Sequence, residues 1–185
     1  FRLAHTGTTN SGEETLFPAE AGDCFAVALV KDASGAQAAY ASDVLHVPTR
    51  DESAQETAQA WVQEMNAASL KNDGEKALWL YRKLAKACAP DKSAEAAQDA
   101  YAALVEGKAG STGYALAYAL LLDTASISNA VITGEGESWN ALKLEDEWYH
   151  ADAFCGEFAQ DVEDFFGLTD EAMAPSHKWK REDAP

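Results

Sequence analysis

The chain has 185 residues, 47% of them hydrophobic, which suffices for one domain with a substantial core and leaves little room for two. Lys and Arg number 14 against 31 Asp and Glu, and the resulting formal charge of −17 works against nucleic acid or an anionic membrane as a partner. No run of about 18 apolar residues occurs, so no membrane span is expected.

Residues 1–22, rich in Thr, Gly, Glu and Ala without periodicity, read as an irregular lead-in. The first residue is Phe1 rather than Met, which is read as a sign of processing or trimming and hence of export. Phe25 to Val30 and Gln37 to Val47 flank a turn containing Gly35, a β-hairpin pattern closed by Pro48. From Asp51 a helix is expected, capped by Asp51 or Ser53, with Ala54, Ala58, Trp61, Val62 and Met65 along one face. Asp73 caps a second, whose stripe of Ala77, Leu80, Tyr81, Leu84 and Cys88 runs up to Pro90. A third, short helix is expected from Ser93 to Leu104 on Ala94, Ala97, Tyr101 and Leu104.

After a loop at 105–110, Ser111 initiates a helix to about Asp123, with Ser111 read as its N-cap. Strands follow at Ala130–Thr133, Ser138–Leu144 and Glu147–Ala153, the last two joined by a tight turn at Glu145-Asp146. Helices followed by an antiparallel meander indicate an α+β domain. Residues 1–48 form the lead-in and hairpin, 49–185 the main domain, and the two are expected to make one compact unit.

Three segments carry the chemistry. Gly110-Ser-Thr-Gly-Tyr-Ala-Leu-Ala-Tyr118 is followed by Gly136-Glu-Ser-Trp-Asn140 and Trp148-Tyr-His-Ala-Asp152. Their order and spacing resemble the core of bacterial transglutaminase-like, papain-related proteins. In that family a Cys opens a helix in a Cys-x-Gly-Tyr-Ala run, a His-Ala-Trp-Asn strand follows, and a Trp-Tyr-x-x-Asp strand completes the triad. The approach at Ala100–Lys108, the strand Val131–Gly134 and the tail from Phe165 to Trp179 also resemble the family. The resemblance implies helices packed on an antiparallel sheet, and a triad whose positions here hold Ser111, Glu137 and Asp152.

Two of those three residues are the wrong type for the chemistry. A helix N-terminus lowers the pKa of a thiol enough to matter, but a hydroxyl lies far beyond its reach. A carboxyl, with a reference pKa of about 4.3, is a weak base at neutral pH and cannot relay a proton as imidazole does. If Glu137 faces Asp152, two carboxylates are adjacent, and a proton, a cation or a water cluster must separate them. The expectation is therefore a domain that has lost catalysis and acts as a secreted or cell-surface binding or scaffolding module, bacterial by resemblance. Its partner would be a peptide, a protein or a peptidoglycan-type ligand, basic or neutral, in a cleft bordered by Tyr114, Trp139, Trp148 and His150. The competing expectation is an acyl-transfer or amide-hydrolysing enzyme using Ser111, or a displaced His150 or Cys155.

Other readings are plainer. Trp139 and Trp148 also fit core aromatics of the hairpin, and His5, His46 and His177 fit surface or capping positions. Ser111, Asp152 and His177 occur in the order of an α/β-hydrolase triad, but residues 106–110 make a poor strand before the serine. Cys24, Cys88 and Cys155 allow either one disulfide and a free thiol or three thiols. No metal-ligand spacing is evident, and neither a metal nor a cofactor is expected.

Overall fold

The computed structural model describes residues 21–24, 27–31, 35, 37–41, 43–93, 95–180 and 185. The lead-in expected over 1–22 therefore lies almost wholly outside the described residues, as does His5. Two compact units divide the chain, 1–50 and 51–185.

In the first unit, β1 (Gly22–Cys24) pairs antiparallel with β4 (Leu45–Val47), and β2 (Val27–Lys31) pairs antiparallel with β3 (Gln37–Ala41). The expected hairpin is thus β2 and β3, nested between the members of a second, shorter pair.

All but the first residue of α1 (Arg50–Asn66) lies in the second unit, and the helix buries Ala54, Ala58, Val62 and Met65, a spacing that keeps them on one side of a 3.6-residue helix. In α2 (Asp73–Ala87) the cap is Asn72 rather than Asp73: the Asn72 side chain accepts the Glu75 amide at 2.8 Å, and the Glu75 carboxylate accepts the Lys71 amide at 2.8 Å. Asp73 is the first helical residue and meets Lys76 at 2.8 Å.

The helix expected over 93–104 is a single π-helical turn, Ala102–Glu106, closed by Gly107 in the left-handed region. The preceding stretch is held irregular by short polar side chains: Asp91 accepts the Ser93 amide at 2.9 Å, and Asp99 accepts the Ala102 amide at 2.8 Å. Pro90 ends α2 but belongs to β5 (Ala89–Pro90), which runs parallel to β6 (Lys108–Ala109) where a loop is expected.

α3 (Ser111–Thr124) crosses the core, burying Tyr114, Ala115, Ala117, Tyr118, Leu121 and Leu122. Two tyrosine hydroxyls tie it to the α2 region, Tyr118 donating to the Ala77 carbonyl at 2.9 Å and Tyr114 to that of Cys88. The sheet is antiparallel in the order β10-β9-β8-β7: β7 (Asn129–Thr133), β8 (Ser138–Leu144), β9 (Glu147–Ala151) and β10 (Phe166–Leu168). Glu145 and Asp146 both have positive φ, 51° and 72°, as a two-residue hairpin turn matched to sheet twist requires. α4 (Ala153–Gly156) and α5 (Asp170–Met173) flank β10.

Strand alternation divides the apolar residues between two cores. Leu142 and Ala151 face α1, α2 and α3, whereas Ile132, Trp139 and Ala141 gather on the other face with Met173, Trp148, Phe165, Leu168 and Trp179. Among the described residues no helix is long and apolar enough to cross a membrane.

Candidate functional site

The three triad-equivalent positions converge at one end of the sheet, where α3 begins, β8 begins and β9 ends. Ser111 is the first residue of α3; the cap is Gly110, and no side chain caps the helix. The Ser111 Oγ accepts the Ser138 amide at 3.4 Å, so the hydroxyl sits beside the residue after Glu137 and is buried. The Thr112 amide, one of the free donors at this helix end, gives its proton to Gln98 Oε1 at 3.1 Å. Gln98 Oε1 thereby takes up one of the backbone donors at the start of α3.

Asp152 lies one residue past β9 and caps α4, its Oδ1 accepting the Cys155 amide at 2.8 Å. Its backbone is held from both sides: its amide donates to the Phe165 carbonyl at 2.9 Å, and its carbonyl accepts the Tyr81 hydroxyl at 2.9 Å. Tyr81 also reaches the Val162 carbonyl at 2.8 Å. This approach is possible because position 156 is glycine; a Cβ there would stand 2.5 Å from the Val162 oxygen and collide with the Tyr81 hydroxyl.

The second oxygen of Asp152 belongs to His177. His177 Nε2 lies 2.8 Å from Asp152 Oδ2 and 3.9 Å from Glu137 Oε2, with its side chain 2% exposed. The surface or capping role expected for His177 is overturned. An imidazole stands between the two carboxylates, in the place where the sequence demanded a proton, a cation or water. The carboxylate can only accept, so Nε2 carries a proton, and Nδ1 faces Ser176 Oγ at 2.8 Å. No hydrogen bond joins either ring nitrogen to Ser111.

What brings His177 inside is the segment after α5. Trp179 shares its parity and packs edge-on against Trp139 and His150, at 5.8 and 4.8 Å between ring centroids, and His177 itself packs against Trp139 at 4.8 Å and Phe165 at 5.7 Å. The backbone closes over Gly134, where the Lys178 carbonyl and the Trp139 ring leave no room for a Cβ. The Glu135 amide donates to that carbonyl at 3.3 Å. The signal in the sequence was the alternation of His177 and Trp179 in the tail; an isolated histidine near a chain end concealed it.

The displaced candidates are each occupied. His150 Nδ1 accepts the Trp139 indole proton at 3.0 Å, so the imidazole proton is on Nε2, which donates to Asp170 Oδ1 at 2.9 Å. Both nitrogens are engaged, and His150 is buried. Cys155 is half-buried, and burial, reinforced by the Asp152 and Glu137 carboxylates, pushes its thiol well above the ordinary range. Cys88 is raised too, chiefly by burial, and both are free thiols; the Cys24 side chain lies outside the described set.

The expected aromatic cleft beside α3 is not formed. Tyr114 is 1% exposed and packs against Phe154, while Trp139 and Trp148 lie on the sheet face turned away from α3. Asn140 ties β8 to α3 by donating to the Ala115 carbonyl at 2.9 Å. A different recess, about 260 Å³, opens beside the site and is lined by Glu135, Glu137, Trp139, Ser176, His177 and Lys178. Although no metal is expected from the sequence, Glu137, Asp152, Cys155 and His177 each bring one N, O or S atom within 4.8 Å of the others. His46 is exposed and pairs with Asp23 at 2.9 Å.

Against solved structures the chain is similar to a crystal structure of a TGase, with a TM-score of 0.50 at 13% identity over 57% of this chain and 33% of that one. The fold is transglutaminase-like. A "putative protease" from Parabacteroides distasonis matches over 72% of this chain and 38% of that one, at 9% identity and a TM-score of 0.44. The chain thus spans well under two thirds of the length of either structure. No family model and no curated protein matches its sequence.

Proposed function

We propose that this transglutaminase-like domain is non-catalytic and serves as a binding or scaffolding module, secreted or at a bacterial cell surface. The observation that carries the reading is the closed hydrogen bonding at the triad-equivalent positions. Asp152 is committed to His177 and to the Cys155 amide, the remaining ring nitrogen of His177 faces Ser176, and among the described residues Ser111 meets a backbone amide alone. A nucleophile needs a base within hydrogen-bond reach; among the described residues Ser111 has none, and the group facing the Cys155 thiol, at 3.9 Å, is the Glu137 carboxylate rather than an imidazole. The recess beside Glu135, Glu137 and Lys178 offers polar groups for a peptide, protein or peptidoglycan-type ligand, and the acidic chain favours a basic or neutral one.

The second reading is an acyl-transfer or amide-hydrolysing enzyme in which His177 and Asp152 serve Ser111. It is favoured by one observation, the buried 2.8 Å contact between that imidazole and that carboxylate at the same end of the sheet as Ser111. Incubation with serine-directed and thiol-directed acyl probes, followed by peptide mapping, separates the two. The binding-module reading expects no site-specific adduct; a stoichiometric adduct on Ser111 or Cys155 overturns it.

A further inference from the structure

We propose that Glu137, Asp152, Cys155 and His177 form a binding site for a divalent transition-metal ion, zinc by the chemistry of the donors. The four donor atoms lie within 4.8 Å of one another. Tetrahedral zinc holds N and O ligands at about 2.0–2.2 Å and sulfur at about 2.3 Å, which places neighbouring ligand atoms roughly 3.3–3.8 Å apart. His177 Nε2 and Cys155 Sγ each stand 3.9 Å from Glu137 Oε2, close to that spacing already. The 2.8 Å contact between His177 and Asp152 has to open as the ion replaces the proton they share.

Charge and surroundings both fit. Among the described residues, the ion pairs made by Glu137 and Asp152 are with His177 alone, so no lysine or arginine already neutralises these carboxylates. A thiol with one imidazole and two carboxylates is a borderline-soft set, suited to zinc and unsuited to magnesium or calcium, which take oxygen ligands. Binding leaves the hydrogen-bond partners of His177 and Asp152 satisfied. The ring proton of His177 moves from Nε2 to Nδ1, where Ser176 Oγ accepts it at 2.8 Å and itself donates to the Met173 carbonyl at 3.1 Å. The Cys155 amide and the Tyr81 hydroxyl continue to hold Asp152. The Cys155 proton is released to solvent, one per ion bound. The recess lined by Glu137 and His177 supplies the way in.

Titration of the chelator-treated full chain with Co²⁺ and then Zn²⁺ tests this. One ion per chain is expected, with a cobalt–thiolate absorption band that Zn²⁺ abolishes and that Cys155→Ser lacks from the outset. Glu137→Gln alters a side chain that is 45% exposed, so it leaves the fold intact; it should weaken Zn²⁺ binding by at least the roughly 10–100-fold that loss of an outer hydrogen-bond partner costs. Ser176→Ala should fall within that range. A cobalt–thiolate band that survives in Cys155→Ser, Zn²⁺ affinity unchanged in Glu137→Gln, or Mg²⁺ competing as well as Zn²⁺ would each overturn the proposal.

Discussion

Replacing His177 with alanine tests the central rearrangement of this site. Sequence position alone makes His177 a surface residue, for which substitution changes stability by no more than about 0.5 kcal/mol. In the fold its imidazole is 2% exposed and meets an Asp152 carboxylate that is 1% exposed, with Glu137 3.9 Å away. Removing one partner of a buried pair strands the other, at about 3–5 kcal/mol. The ring contacts to Trp139 and Phe165 are lost as well. Chemical denaturation of His177→Ala should therefore show a loss of about 3–5 kcal/mol, or a fall in Tm of roughly 10–15 °C for a domain of this size. Because most of that cost is a stranded charge, the double variant His177→Ala/Asp152→Asn should recover at least about 1 kcal/mol relative to the sum of the single changes. A loss below about 1 kcal/mol in His177→Ala, or strict additivity in the double variant, would refute the buried pair.

Tyr81→Phe removes the hydroxyl that reaches Asp152 and Val162 while keeping the ring against Tyr118 and Phe166. The Asp152 carbonyl retains the Gly156 amide at 3.0 Å, so the expected cost is that of the Val162 carbonyl, about 1–3 kcal/mol by denaturant melts. Gly134→Ala drives a Cβ into the Lys178 carbonyl and the Trp139 ring, and should displace the segment bearing His177. Its stability loss should approach that of His177→Ala and be non-additive with it in the double variant. The raised thiol of Cys155 fixes a pH dependence in the metal-free protein. Its folded pKa lies above the ordinary value of 9.0, so the neutral thiol's contribution to stability is complete below that pH and declines above it as the unfolded chain ionises first. Cys155→Ser should flatten the alkaline limb of the stability profile, and Cys155 should alkylate slowly at neutral pH until the protein is unfolded.

The parts of the fold legible in the sequence are those written by local periodicity. Ala54, Ala58, Val62 and Met65 specify α1, and Glu145-Asp146 between alternating strands specifies the β8–β9 hairpin. The glycine, tyrosine and tryptophan frame around Ser111, Trp139 and Trp148 pointed to the transglutaminase-like fold that comparison with solved structures supports. The segment 93–104 misled because its alanines repeat at helical spacing. There, Asp91 and Asp99 bind nearby backbone amides instead, and the Ala97 carbonyl accepts the Gly110 amide at 2.9 Å, drawing the chain towards the start of α3.

The sequence by itself determined that positions 111 and 137 lack a thiol and an imidazole, since residue type is independent of folding. It determined α1, α2 and α3 and the β7–β9 meander, because hydrophobic spacing is a local property. Only the tertiary structure decided that an imidazole stands at the site after all, carried in by His177 from a tail 25 residues beyond Asp152. It also decided that Trp139 and Trp148 face away from α3 and that Cys155 joins Glu137, Asp152 and His177. The reason is physical: the partners of a buried carboxylate are selected by packing between segments distant along the chain. Here that packing is the fit of Trp179 against Trp139 and of Lys178 over Gly134.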